Sequence, residues 1–191
     1  MVKELKQMGV STICIKDMAG ICSPKAAYDL VSAIKDAVDL PVILHTHCTA
    51  GLAFMTCLKA VEAGCDILDT AISPFSGGTS QPATETLAFA LREFGYEVDL
   101  DDDKLLKMAN YFKPIRAEFL EKGTLNPISM ATDTQCLTYQ IPGGMLSNLL
   151  SQLKSLNALD KFDEALLETP RVRKDMGYPP LVTPTSQLVG T

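Results

Sequence analysis

The first hundred residues alternate three times between short apolar segments and segments with helical periodicity. The apolar segments are rich in Val, Ile, Leu and Cys and lie at residues 11–17, 41–47 and 65–72. The helical segments have apolar residues three and four positions apart and lie at residues 23–39, 51–63 and 82–94. This alternation predicts an α/β fold with a parallel sheet, and the near-continuous apolar strands predict burial on both faces.

The sequence changes character after Gly95. An acidic run at residues 99–103 predicts a hinge or a helix cap, and helices are expected at residues 104–122, 146–159 and 160–173. Pro114 and Pro170 are expected to break two of these helices. Because the strand repeat does not continue, we predict a boundary near residue 100 and a largely helical second region.

Composition excludes several functional classes. The chain has 191 residues, 47% of them hydrophobic, and a formal net charge of -6, so it can bury a core but has no basic surface for nucleic acid. No apolar run approaches the roughly 18–20 residues of a membrane span, and the N-terminus has no signal-peptide core. The simplest expectation is a cytoplasmic protein whose six cysteines form no disulfide framework.

His45 and His47 are the two histidines of the chain, and both lie at the end of the second apolar segment. Because side chains alternate along a strand, residues two apart point to the same face. Neutral imidazoles bind divalent transition metals, so the pair predicts a metal site; two hydrogen-bonded histidines in a polar opening are the alternative. Cys48 is expected to point to the opposite face.

Lys16 and Asp17 end the first apolar segment. A lysine at this edge is a salt-bridged side chain, a Schiff-base nucleophile or, once carbamylated, a metal ligand that acts as a carboxylate does. Asp17 is expected either to support the site or to bond the next helix. Asp69 is either a pocket residue or a turn cap, and residues 73–80 are predicted to form a mobile loop above the site.

Five ordered motifs extend over nearly the whole chain: IKDMAG at 15–20, LHTH at 44–47, DTAISP at 69–74 with GTSQP at 78–82, IPGG at 141–144, and LVTPTS at 181–186. In these motifs the chain resembles the carboxyltransferase component of biotin-dependent enzymes. That group includes pyruvate carboxylase, the oxaloacetate decarboxylase α subunit and the transcarboxylase that uses pyruvate. The resemblance implies transfer of CO2 between carboxybiotin and pyruvate or oxaloacetate through a metal-stabilised enolate.

The resemblance also implies roles for individual residues. Lys16, as a carbamate, would bind a divalent metal with His45 and His47, with zinc expected first and manganese or cobalt also acceptable. Thr183 would carry a proton between biotin and pyruvate, and Ser186 would contact the biotin ureido group. Without the resemblance, Thr183 reads as a turn residue before a proline.

For the fold, the resemblance implies that residues 1–99 are the C-terminal part of a TIM (β/α)8 barrel and residues 100–191 a helical, funnel-like domain. A full barrel has eight strands and about 250 residues, whereas this sequence shows three strands. We therefore expect the first barrel strands, an aspartate metal ligand and the Arg and Gln residues that hold the keto acid to lie outside the chain. The biotin carrier domain is expected to be a separate domain or subunit.

Three further expectations concern partners and alternatives. The family implies a homo-oligomer, and membrane subunits if the parent protein is a sodium-pumping decarboxylase. A metal-dependent acyl-CoA lyase or condensing enzyme shares the HxH strand but lacks the PGG and VTP segments. A non-catalytic assembly fragment is the third possibility, because a partial barrel exposes strand edges that pair elsewhere.

Overall fold

A computed structural model describes residues 1–139, 145, 149 and 152–180. Three strands are present: β1 (Ile13–Asp17), β2 (Val42–Thr46) and β3 (Ile67–Leu68). The helices of this part of the chain are α1 (Val2–Gln7), α2 (Pro24–Ala37), α3 (Ala53–Glu62), α4 (Thr84–Glu93), α5 (Asp102–Glu121), α6 (Cys136–Tyr139) and α7 (Phe162–Asp175). Short 3-10 turns lie at Ser73–Phe75, Pro127–Met130 and Leu159–Lys161.

The strands form one parallel sheet in the order β1-β2-β3, which confirms the α/β prediction. Strand β3 is shorter than the predicted segment 65–72, although its pairing extends one hydrogen bond beyond each end. The amides of Asp66 and Asp69 donate to the carbonyls of Val42 and Leu44. In the described residues β3 pairs on one side only, so its ladder ends where β2 ends.

The expectation that the strands are buried on both faces was wrong for the described residues. Burial alternates along β1 and β2, because helices α2 and α3 pack against one face only. On that face Ile13, Val42 and Leu44 join a core that includes Val31 and Cys57. The opposite face carries polar side chains of partial or full exposure at the C-terminal strand ends. The alternation therefore separates a packing face from a chemical face.

Local sequence explains where α2 and α5 begin. The Ser23 hydroxyl accepts a hydrogen bond from the Ala26 amide at 3.1 Å, with Pro24 as the first helical residue. The Asp101 carboxylate accepts from the Lys104 amide at 3.1 Å, so the acidic run is a helix cap. Arg92 of α4 also pairs with Asp102 at 2.7 Å, which ties α4 to the first turn of α5.

The predicted breaks at Pro114 and Pro170 were wrong, because α5 and α7 continue through both positions. A proline removes one backbone donor, and the helical bonds on either side maintain each helix. The described part of the second region contains helices and turns and no strand, as predicted, and residues 152–155 are helical. The motifs at 141–144 and 181–186, with Thr183 and Ser186, lie outside the described residues.

No helix in the described part of the chain is long and apolar enough to cross a bilayer. The six cysteines are free thiols. Burial raises the pKa of Cys57 to about 12 and that of Cys22 to about 11. These thiols therefore stay protonated near neutral pH and behave as small packing groups.

Asp66 links the sheet to α2, and its removal gives a test of the fold. Its carboxylate accepts from the Val42 amide at 2.7 Å and pairs with Lys35 at 3.0 Å. These contacts, chiefly the Val42 hydrogen bond, lower the Asp66 pKa. Because the side chain is partly exposed, we expect Asp66→Asn to lower the free energy of unfolding by about 1 kcal/mol or less at pH 7.

The pH dependence follows from the sign of that shift. A depressed folded pKa stabilises the protein above the unfolded value of about 3.9, and the stabilisation is lost as the pH falls through the folded pKa. The difference between Asp66→Asn and the unaltered protein should therefore shrink below about pH 4 in denaturant titrations. Asp39→Asn, at an exposed loop position, is the control. Equal unfolding midpoints for the two variants would contradict the assignment.

Candidate metal centre

The C-terminal ends of the three strands bring the predicted site residues to one face of the sheet. Lys16 of β1 lies directly opposite His45 of β2 in the parallel register. His47 follows two residues later on the same face, and Asp69 follows β3. The structure therefore places Lys16, His45 and His47 as neighbours, as the sequence predicted. Register and alternation bring them together without any long-range rearrangement.

Each imidazole is oriented by a hydrogen bond at Nδ1. His45 Nδ1 donates to Asp69 Oδ2 at 2.7 Å, and His47 Nδ1 donates to the Thr79 carbonyl at 2.5 Å. The acceptors fix the tautomer, because neither a carboxylate nor a carbonyl can donate a hydrogen in return. Both Nε2 atoms therefore present a lone pair. Asp69 is thus a residue that orients His45, which selects the pocket role over the turn cap.

The two Nε2 atoms lie 3.1 Å apart. Two lone pairs at this distance repel each other unless a proton, an N–H group or a cation lies between them. Two nitrogen ligands of one tetrahedral zinc ion, each about 2.0–2.1 Å from the metal, are separated by about 3.3 Å. Burial lowers the pKa of His47, which favours the neutral form that a metal requires. The donor set and its spacing therefore fit a divalent cation.

Gln81 is a site residue to which the sequence analysis gave no role. Its side-chain Nε2 lies 3.3 Å from Nε2 of His45 and 3.3 Å from Nε2 of His47. The signal was present in the sequence, since Gln81 belongs to the GTSQP motif. Its distance to the histidines could not be read from spacing, because the loop between β3 and α4 determines it.

That loop folds back on itself and against the second region. The Gly77 amide donates to the Gln81 carbonyl at 2.9 Å, and the Thr79 amide donates to the Ser129 carbonyl at 2.8 Å. A Cβ at Gly78 would overlap the Ser129 carbonyl oxygen, and Gly78 has a φ of +52°. The loop predicted above the site is therefore also the element that supplies the Thr79 carbonyl and Gln81.

Asp17 supports the site from the packing side of the sheet. Its carboxylate accepts from the Thr46 hydroxyl at 2.7 Å and from the amides of Ile21 and Cys22 at 3.1 and 3.0 Å. These bonds hold the loop after β1 against the end of β2, between the two histidines. Of the two roles expected for Asp17, the structure shows the supporting one, because its acceptors serve the loop and Thr46.

Among the described residues, no three His, Cys, Asp or Glu side chains are grouped to hold a metal ion. The site offers two imidazoles, and Lys16 falls outside those residue types. Cys48 is buried and its pKa is raised to about 11, chiefly by burial. A cleft of about 420 Å³ lies beyond β3, between α4 and residues 96–100, and none of Lys16, His45 and His47 lines it.

Two family profiles match the chain in sequence. One is described as HMGL-like and matches residues 1–112; the other is described as a conserved carboxylase domain and matches residues 136–191. A pyruvate carboxylase subunit of Methanocaldococcus jannaschii is 54% identical over 100% of this chain and 33% of its own length. The methylmalonyl-CoA carboxyltransferase 5S subunit of Propionibacterium freudenreichii is 46% identical over 98% of this chain and 37% of its own.

A solved structure shares the fold. The carboxyl transferase domain of Rhizobium etli pyruvate carboxylase with pyruvate superposes with a TM-score of 0.89 at 31% identity, covering 99% of this chain and 32% of that one. The chain therefore has the α/β fold of that domain. It spans about a third of the length of the relatives it matches.

Gly20 gives a test of how closely the loop after β1 approaches the histidine strand. A Cβ at Gly20 would overlap the His47 carbonyl oxygen, and Gly20 has a φ of +67°. We expect Gly20→Ala to cost about 1–2 kcal/mol for the left-handed backbone and about 1–3 kcal/mol for the overlap. Denaturant titration measures the sum.

Gly9→Ala is the matched control, because Gly9 has a φ of +89° with no atom near the added Cβ. The control should show the backbone cost alone. If the two variants lost the same stability, the close approach of Gly20 to His47 would be contradicted.

Proposed function

The chain belongs to the carboxyltransferases of the biotin-dependent enzymes, and we propose that it carries the metal-binding side of their active site. In this proposal the parent protein moves a carboxyl group between a carrier-bound biotin and pyruvate or oxaloacetate. The observation that carries it is the pair of imidazole Nε2 atoms, 3.1 Å apart and both turned away from their Nδ1 acceptors. Such a pair has a clear purpose only with an electrophile between the rings.

The fold proposal assigns residues 1–99 to the last part of a TIM barrel and residues 100–191 to a helical domain after the barrel. Two observations support it. Helices cover one face of the three-stranded sheet, which leaves the other for a barrel interior. The relatives are about three times longer, so an N-terminal barrel half is the proposed partner of the exposed strand edges.

His45, His47 and carbamylated Lys16 are the proposed metal ligands, with zinc first and manganese or cobalt as alternatives. When bound, the ion would supply Lewis acidity that stabilises negative charge on the keto-acid oxygen, an effect of several kcal/mol. Carbamylation would turn Lys16 from a cation into an anion opposite His45 in the register. Asp69 and the Thr79 carbonyl keep both rings aimed at the same point.

Thr183 and Ser186 complete the proposed mechanism. The Thr183 hydroxyl would carry a proton between the pyruvate methyl group and the biotin ring, and Ser186 would hold the ureido group. A hydroxyl can do this work because it both donates and accepts a hydrogen bond. Resemblance in the LVTPTS motif is what supports both assignments.

The related lyase and condensing-enzyme barrels are the alternative chemistry. The match of residues 136–191 to a conserved carboxylase domain favours the carboxyltransferase, since this segment lies beyond the HMGL-like match. Relatives at 46% and 41% identity are named a methylmalonyl-CoA carboxyltransferase subunit and a 2-oxoglutarate carboxylase large subunit, so the acceptor class is proposed as a short 2-oxo acid. A homo-oligomer, cytoplasmic location and, for a sodium-pumping decarboxylase, membrane subunits belong to the same proposal.

The carbamate is tested by replacing Lys16. Lys16→Arg keeps the positive charge but forms no stable carbamate, so we expect it to lose the metal and the carboxyl transfer together. Labelling the full-length protein with 13C-bicarbonate should give a carbamate carbonyl signal that Lys16→Arg lacks. Lys25→Arg, at an exposed position of α2, is the control. A labelled signal that persists in Lys16→Arg would contradict the assignment.

The proton carrier is tested with Thr183→Ala and Thr183→Ser. We expect Thr183→Ala to reduce biotin-stimulated oxaloacetate decarboxylation by about 10²–10⁴-fold while the bound metal is retained, because general acid–base catalysis contributes on this scale. Thr183→Ser restores the hydroxyl and should recover much of the rate. Undiminished transfer in Thr183→Ala would remove Thr183 from the mechanism, and stoichiometric metal in both variants separates this result from loss of the site.

A further inference from the structure

The Gln81 carboxamide lies directly over the lone pairs of the two histidines. Its nitrogen is the same distance, 3.3 Å, from Nε2 of each ring. The backbone on either side is fixed, since the Gln81 carbonyl accepts from the Gly77 amide and Pro82 follows. The side-chain oxygen points back toward the Ser80 hydroxyl at 3.4 Å. The amide therefore caps the point at which the two Nε2 atoms converge.

This contact depends on the charge between the rings. An NH2 group carries two hydrogens and can donate one to each imidazole lone pair when those lone pairs are free. Once a cation takes the lone pairs, the same NH2 group faces a positive charge and is repelled. A half turn about the terminal torsion, which is soft in glutamine, exchanges nitrogen for oxygen with little movement of other atoms. The oxygen then faces the cation.

We propose that Gln81 is a further ligand of the divalent ion, through its carboxamide oxygen, and caps the histidine pair through its nitrogen when the ion is absent. This inference rests on the metal centre proposed above. Amide oxygen is a ligand type that divalent cations accept. A neutral ligand opposite a carbamate and two imidazoles adds coordination without adding charge. The same residue thus stabilises both states of the site.

The test measures ion affinity directly and needs no catalysis. The protein is freed of metal with a chelator and titrated with Co2+, whose visible absorption reports the number and type of ligands. Gln81→Leu keeps the size of the side chain but removes the carboxamide, and we expect it to weaken Co2+ binding by about 10–100-fold and to change the absorption spectrum. Gln7→Ala, at an exposed position of α1, should bind as the unaltered protein does.

Gln81→Glu separates a ligand from a hydrogen-bond donor. It retains an oxygen at the same reach and adds a negative charge, so a ligand role predicts Co2+ affinity at least equal to that of the unaltered protein. Equal affinity and an unchanged spectrum in Gln81→Leu would overturn the ligand role while leaving the histidine centre intact. Failure of the unaltered protein to bind Co2+ would contradict the centre and the ligand role together.

Discussion

The site depends on two hydrogen bonds at the far side of the imidazole rings. Asp69 and the Thr79 carbonyl take the Nδ1 hydrogens of His45 and His47, so both lone pairs must be at Nε2. The rings then meet at 3.1 Å, a spacing that is repulsive when empty of any electrophile and close to that of two ligands of one ion. Without these bonds either ring could adopt the other tautomer, and the pair would be an ordinary polar contact.

The rest of the described fold holds those two acceptors in place. Parallel pairing sets Lys16 opposite His45, and the packing of α2 and α3 against the other face leaves the site residues on the uncovered side. The loop from β3 to α4 is held against residues 127–130 of the second region, and it delivers Thr79. The helical second region therefore contributes to the geometry of a site formed at the strand ends.

The sequence predicted what is local and missed what depends on distant contacts. Strand and helix order, the Ser23 cap and the shared face of Lys16, His45 and His47 follow from periodicity, capping and register. Prolines 114 and 170 were misjudged because flanking helical bonds outweigh one lost donor, and one-sided burial was missed because apolar strands look alike whether or not both faces are covered. The roles of Asp69, Thr79 and Gln81 needed the course of a loop, which spacing does not give.

The central claim is that both histidines present Nε2 as a metal ligand. Long-range 1H–15N correlation spectra of the imidazoles, recorded on metal-free protein and again with Zn2+, test it directly. The account predicts the Nδ1–H tautomer for His45 and His47 before zinc is added, and a change confined to Nε2 of both rings afterwards. An Nε2–H tautomer that persists in either ring in the presence of zinc would contradict it.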